Sequence, residues 1–200
     1  STQAKTLFPY TTLFRSELQQ LKKQINPHFL FNMLNNANIL VKDAPDEASQ
    51  ILEKLDNLLR YQLNDSTRRE VFLTADIQFL TSFLELEKVR RDHFEYTIFQ
   101  EGNMENICIP PLLFIPFVEN AVKHNLDSDN LSYVHLYFSV HNKQLTFRCE
   151  NSKPRVPVKR EGGIGLANVK RRLDLLYESR YTLQIEDKET TYNVNLHLNL

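Results

Sequence analysis

The chain has 200 residues, 42% of them hydrophobic and 24% charged, with 13 Phe and no Trp: the composition of one large or two small globular units with aromatic cores, not of a disordered segment. Its 24 Lys and Arg against 25 Asp and Glu give a net charge of −1 and a pI near 6.6, which excludes the broad basic surface of non-specific nucleic-acid binding. Cys108 and Cys149 stand far apart without metal-ligand spacing and fit reduced thiols better than a disulfide framework, and no apolar run approaches the roughly 20 residues of a membrane-spanning helix.

Thr6 to Ser16 reads as the translation of a sequencing-library adapter, so residues 1–16 are set aside and the natural chain is expected to continue upstream of Glu17. From Leu18 through Leu21, Ile25 and Phe29 the apolar spacing is three and four, and it resumes at Met33, Ala37 and Leu40. One continuous helix bent locally at Pro27 is expected. Asp43-Ala44-Pro45-Asp46 predicts a turn into a second helix, whose Ile51, Leu52, Leu55, Leu58, Leu59 and Leu63 form a wide apolar face. So short a connection predicts an antiparallel helical hairpin, and so broad a stripe calls for a partner, most simply a second copy in a four-helix dimer.

A third helix is expected from Thr74, as its N-cap, to Arg91, with Ile77, Leu80, Leu84 and Val89 buried. From His93 the pattern changes. Alternation predicts strands over 96–99, 133–140, 144–149, 181–185 and 192–198, with helices over Pro111 to Asn125 and Leu166 to Tyr177. The whole is an α+β chain: a dimerising helical hairpin over 17–92, then an α/β sandwich over 93–200 whose mixed or antiparallel sheet carries helices on one face.

Three clusters carry chemistry. In Asn26-Pro27-His28-Phe29-Leu30-Phe31-Asn32 an imidazole stands at the rim of a helix's apolar stripe, where it serves as a phosphate acceptor or simply packs at a helix interface. In Glu119-Asn120-Ala121-Val122-Lys123-His124 an amide oxygen suited to hydrated Mg²⁺ lies one helical turn before a lysine that can meet phosphate, and His124 can add a donor. Gly162, Gly163 and Gly165 are three of the four glycines in the chain and stand just before a helix, where bare backbone N–H groups meet phosphate oxygens. The Pro-, Lys- and Arg-rich stretch from Ser152 to Glu161 suits a lid over nucleotide, and an ordinary loop is its bland alternative.

These residues resemble the cytoplasmic kinase core of LytS-type sensor histidine kinases of bacterial two-component systems, in the version with a shortened nucleotide-binding domain. The resemblance covers Glu17 to Leu200. Leu21 to Asn32 is similar to the family's phosphoacceptor motif, Pro111 to His124 to its N box, and Gly163 to Leu173 to its glycine box. The resemblance implies a Bergerat-type (GHKL) nucleotide fold and a homodimer. It also implies autophosphorylation of His28 from ATP-Mg²⁺ and transfer to an aspartate on a response regulator. By the same resemblance Asn120 holds Mg²⁺, and Lys123, His124, Gly163, Gly165, Leu166 and Asn168 contact nucleotide. The chain would be the cytoplasmic part of a bacterial inner-membrane protein anchored through an upstream segment.

The sequence departs from this pattern at three places that bear on function. Asn151 of Cys149-Glu150-Asn151-Ser152-Lys153 stands where related domains carry the adenine-recognising aspartate, and its amide oxygen can still accept from the adenine amine. Pro116 stands where hydrolysing relatives place a water-activating glutamate, which favours transfer to His28 over transfer to water. Phe29 follows His28 where many histidine kinases carry an acidic base. The rival readings are a non-kinase ATPase of the same fold and a degenerate pseudokinase that dimerises and docks a regulator.

Overall fold

The computed structural model describes residues 27–125, 130–154 and 164–200. α1 (Pro27–Leu40) and α2 (Pro45–Asn64) form a helical hairpin. The Ala44 N–H closes the turn on the Leu40 carbonyl at 2.8 Å, and Pro45 opens α2 where a missing N–H leaves no helical bond unmade. Phe29, Met33 and Ala37 face inward from α1, and Ala48, Ile51, Leu55 and Leu58 from α2. The expected bend at Pro27 depends on Leu18 to Ile25, which lie outside the described residues.

Of the wide apolar face expected on α2, Leu52 is 44% exposed and Leu63 70%. With Phe31, Leu34 and Ile39 of α1 they occupy the sides of the hairpin that the other described residues leave uncovered, because each helix carries a wider apolar stripe than one neighbour can bury.

A ribbon of β1 (Val71–Phe72) and β3 (Cys108–Ile109) leads into α3 (Leu73–Val89). The expected start at Thr74 is corrected by one residue: Phe72 precedes the helix, no side chain caps it, and the ribbon carries the Leu73 N–H to the Ile107 carbonyl at 2.8 Å. The helix also ends before Arg91, and Val89 is exposed, contrary to expectation. Leu73, Ile77, Phe79, Leu80, Phe83, Leu84 and Leu86 are buried, so α3 is apolar nearly all round, as a helix between two packed bodies must be. On one side Phe83 meets Phe29 of α1 (ring centroids 5.1 Å apart) and Phe79 stacks on Tyr61 of α2 (4.8 Å). Its other side packs on the sheet domain.

That domain is a five-stranded sheet in the order β2-β4-β5-β7-β6, formed by β2 (Phe94–Glu101), β4 (Ser132–His141), β5 (Gln144–Ser152), β6 (Tyr181–Asp187) and β7 (Thr191–Asn199). β2 runs parallel to β4 and every other pair is antiparallel, the mixed sheet of the sequence reading. All five strands reach beyond their expected ends, and β5 takes in Asn151 and Ser152. α4 (Ile115–His124) and α5 (Ile164–Tyr177) pack together, α4 on β4 and β5. Phe114 lies 4.5 Å from Phe147 and 5.2 Å from Phe138, centroid to centroid, in the centre of this core. Each fully buried Phe here stabilises by roughly 1.5–3 kcal/mol. Gly102 sits at φ +87°, and a Cβ there would lie 2.2 Å from the Val140 carbonyl oxygen, so the end of β2 closes against β4 only with glycine.

α4 begins four residues later than the expected Pro111, at Ile115, and ends at His124. The reason is Leu112, which adopts a left-handed φ of 55° and gives its N–H to Asp76 Oδ1 of α3 at 2.9 Å. That conformation breaks the helical run, and the chain turns into α4 only after Phe114.

Candidate functional site

α4 carries Asn120, Lys123 and His124 of the expected site. Asn120 and Lys123 are one turn apart, and Lys123 and His124 fall in the last turn, where cations meet the negative end of the helix. Asn120 and His124 are half-buried and Lys123 is exposed. Pro116 is the second residue of the helix, one turn before Asn120, so the position expected to lack a carboxylate lacks it in space as well. Glu119 does carry a carboxyl beside Asn120, and burial pushes it up to about 7.

The end of α4 is fixed by residues the sequence reading did not single out. Arg91 donates from Nη2 to the Val122 carbonyl at 2.7 Å and from Nη1 to Asn125 Oδ1 at 2.9 Å. Asn125 is fully buried and donates from Nδ2 to the Tyr133 carbonyl at 3.1 Å, tying helix to sheet. The Arg91 Nε lies 3.3 Å from Glu87 Oε2, and the guanidinium stands 5.0 Å over the Phe94 ring. Burial lowers the Arg91 pKa while Glu87 opposes that shift.

Asn151 lies on β5 with the parity of Leu145, Phe147 and Cys149, the face that α4 covers. It is 1% exposed and donates from Nδ2 to the Ser152 carbonyl at 2.8 Å. One amide hydrogen is thereby used internally, leaving the other and the amide oxygen to be considered for adenine. Lys153, the next residue but one, is held on the β6–β7 turn through Asp187 Oδ1 at 2.8 Å.

α5 brings Leu166 and Asn168, both half-buried, beside α4, and Gly165 is its second residue. Val169, Leu173 and Tyr177 anchor the helix in the core. Arg172, 4% exposed, donates from Nη1 to the Leu112 carbonyl at 2.7 Å and from Nη2 to the Pro111 carbonyl. Asp76 and Arg172 thus hold the turn before α4 from opposite sides, one through its N–H and the other through its carbonyls.

The structure therefore brings the helix of Asn120, Lys123 and His124 to the sheet face that holds Asn151, with Leu166 and Asn168 on the helix packed beside it. His28 is the second residue of α1, but its side chain lies outside what is described, as do Gly162, Gly163 and residues 155–161 of the expected lid. The buried ionic residues had a faint signal in the sequence: Asp76 sits at helical spacing among Leu73, Ile77 and Leu80, and Arg172 among Val169, Leu173 and Leu176. A charge inside an apolar stripe marks a position that needs a partner.

A mixed sheet packed against a pair of helices and joined through a buried helix to a helical hairpin is a fold that solved histidine kinase domains share. In agreement, a family model described as "Histidine kinase" matches residues 16–94. The sensor protein LytS of Staphylococcus haemolyticus is 29% identical over 198 residues, covering 92% of this chain and 34% of its own length. The sensor histidine kinase YpdA of Escherichia coli is 32% identical over 112 residues, 56% of this chain and 20% of its own. The solved histidine kinase domain of the Erythrobacter litoralis EL346 blue-light activated histidine kinase superposes with a TM-score of 0.51 at 18% identity, covering 96% of this chain and 94% of that one. These findings agree with the resemblance read from the motifs: the chain is similar to LytS-type sensor histidine kinases, and its residues 16–94 match the histidine kinase family model. It spans about a third or less of the length of these curated relatives. Among the described residues no helix is long and apolar enough to cross a membrane.

Proposed function

We propose that this chain is the catalytic core of a sensor histidine kinase that binds ATP with Mg²⁺, phosphorylates itself on His28 and passes the phosphoryl group to an aspartate of a response regulator. The observation that carries the reading is the placement of Asn120 and Lys123 one turn apart on α4, above the sheet face that holds Asn151, in a chain whose α1 bears the phosphoacceptor motif. The donor set fits the ions involved. A magnesium ion that retains waters and phosphate oxygens needs only one or two protein oxygens, which the Asn120 amide supplies. Among the described residues no cluster of His, Cys, Asp or Glu offers a richer metal site. Bound Mg²⁺ would neutralise phosphate charge.

In this reading Lys123 meets the phosphates, His124 adds a donor, and the Asn151 amide oxygen accepts from the adenine amine. Gly163, Gly165, Leu166 and Asn168 are assigned to nucleotide contact by the same resemblance. The His28 imidazole nitrogen attacks the terminal phosphorus in line. An N–P bond forms, the P–O bond to the leaving oxygen breaks, ADP departs, and the ring proton passes to solvent or a base. Phosphohistidine then gives the group to a carboxylate. Pro116 in place of a carboxylate one turn before Asn120 removes a base for water and favours the protein acceptor. The exposed Phe31, Leu34, Ile39 and Leu52 supply the apolar surface for a homodimer of hairpins.

Incubation with γ-labelled ATP and Mg²⁺ tests the reading. Acid-labile, alkali-stable label on the protein that disappears in His28→Gln supports it. Release of free phosphate without label supports a non-kinase ATPase. Failure to bind nucleotide supports a pseudokinase, the reading that Asn151 favours by replacing a charged acceptor with a neutral one.

A further inference from the structure

The side chain that holds the start of α4 is also held by the phosphoacceptor hairpin. Tyr61, in the last turns of α2, donates its hydroxyl to Asp76 Oδ1 at 2.6 Å, the same oxygen that accepts the Leu112 N–H at 2.9 Å. Asp76 is fully buried, and among the described residues its second oxygen is left without a hydrogen-bond partner of good geometry. Arg172 completes the set from α5 through the carbonyls of Pro111 and Leu112, and its Nε is likewise without a partner. The Asp76 carboxylate therefore joins three segments, the hairpin through Tyr61, α3 through its own backbone and the turn before the N box through Leu112, and Arg172 ties the helix after the glycine box to that same turn.

Hydrogen bonds between buried groups are geometrically demanding, and an ionised acceptor makes them stronger. Leu112 is held at a φ of 55°, which a leucine adopts only when its surroundings impose it. The Asp76 contact to its N–H and the Arg172 contacts to the adjacent carbonyls are the imposing groups. Loss of the Tyr61 hydroxyl would leave Asp76 Oδ1 with one donor fewer and free the carboxylate to rotate, which loosens its grip on Leu112. Rotation of the hairpin that breaks the Tyr61 contact would have the same effect.

We infer that Asp76 is a positioning residue for the nucleotide site and that Tyr61 makes this positioning depend on where the phosphoacceptor hairpin sits. Asp76 and Tyr61 act through the turn at 111–114 and through α4. The nucleotide consequence rests on the proposed function above, whereas the link from Tyr61 to the turn does not. Because coupling between sites is reciprocal, nucleotide on α4 must also tighten the end of α2.

Amide hydrogen exchange on the full chain, alone and with ATP-Mg²⁺, reads both directions. Tyr61→Phe keeps the ring stacked on Phe79 and removes only the donor. It is expected to speed exchange over residues 111–118 by about fivefold or more, the lower range of measured couplings, while the sheet strands stay protected. Asp76→Asn should do at least as much, and the double variant no more than Asp76→Asn alone. Where Asp76→Asn does not fold, Arg172→Lys replaces it: the shorter side chain lacks the rigid planar fork that holds the Leu112 and Pro111 carbonyls together, so the same residues should exchange faster.

Unchanged exchange over 111–118 in Tyr61→Phe, additive effects in the double variant, or a uniform rise across the sheet overturns the inference. With wild type, ATP-Mg²⁺ is expected to slow exchange over residues 58–64 as well as α4. Protection of α4 alone overturns the nucleotide half. A wild-type chain that binds no ATP refutes the kinase reading, and the Tyr61→Phe exchange pattern still decides the link to the turn.

Discussion

Arg91 offers the sharpest quantitative test of how the N-box helix is held. Its side chain is 9% exposed, and it supplies hydrogen bonds to two buried acceptors, the Val122 carbonyl and Asn125 Oδ1. Arg91→Met keeps an unbranched apolar stem and removes both donors. Each charged-donor bond lost to a buried acceptor costs about 1.5–3 kcal/mol. Two terms reduce the sum. Glu87 is not orphaned, because Arg90 Nη2 remains 2.6 Å from its Oε2, and the variant no longer buries a cation whose burial already lowers its pKa. The net loss should be about 2–4 kcal/mol, or roughly 6–12 °C in Tm for a chain of this size. Urea unfolding is the assay, with the slope checked for constancy. Arg91→Lys should fall between wild type and Arg91→Met, and Arg91→Met should cost less in an Asn125→Ala background, where one acceptor is already gone. A loss below about 1 kcal/mol at unchanged slope refutes the reasoning, because bonds to two sealed acceptors cannot be worth so little.

Glu119 gives a pH test. Its folded pKa, about 7, lies above its ordinary value of 4.5, so the folded chain holds this proton more tightly and the group's contribution to stability, full below 4.5, is lost as pH rises to 7. Glu119→Gln does not titrate there, so its urea midpoint relative to wild type should climb between those values and then level off; a constant difference counts against burial as the cause. The thiols give a simpler one. Cys108 is exposed, whereas Cys149 is buried and pushed up to about 12, so a thiol reagent should modify Cys108 alone in the native protein and Cys149 only after denaturation. Equal labelling of both in the folded chain contradicts the packing of β5.

The parts legible in the sequence are those written locally. The hairpin, the strand alternation and the motifs that place Asn120 and Lys123 on one helix face each depend on residues within a turn or two of one another. What escaped depends on partners far along the chain. Thr74 looked like an N-cap because threonine often is one, but Leu73 is instead engaged by Ile107 through the β1–β3 ribbon. The late start of α4 follows from Leu112 meeting Asp76, 36 residues away, and the end of α4 from Arg91 meeting Asn125, 34 residues away. The stripe that includes Leu52 and Leu63 shows in the sequence as a face wider than one neighbour covers, but which of its residues stay exposed does not, because a stripe records what a helix can bury and not what one copy of the chain provides. Asn151 was legible as a departure, but its residence inside β5 and its bond to Ser152 were not.

The all-round burial of α3 bears on how this protein can be dissected. A cut between residues 92 and 93, where the sequence pattern changes, would send Asp76, Glu87 and Arg91 away with the hairpin and leave the Leu112 turn, the Val122 carbonyl and Asn125 without their donors or acceptors. It would also strand β3 without β1 and bare the apolar flank of α3 to water. Expression of the sheet domain by itself therefore calls for a fragment that opens no later than Val71, so that the ribbon and the whole of α3 travel with it. In folding terms the linker helix is shared property, and the seam between the two halves of the molecule runs along its hairpin-facing side, not past its end.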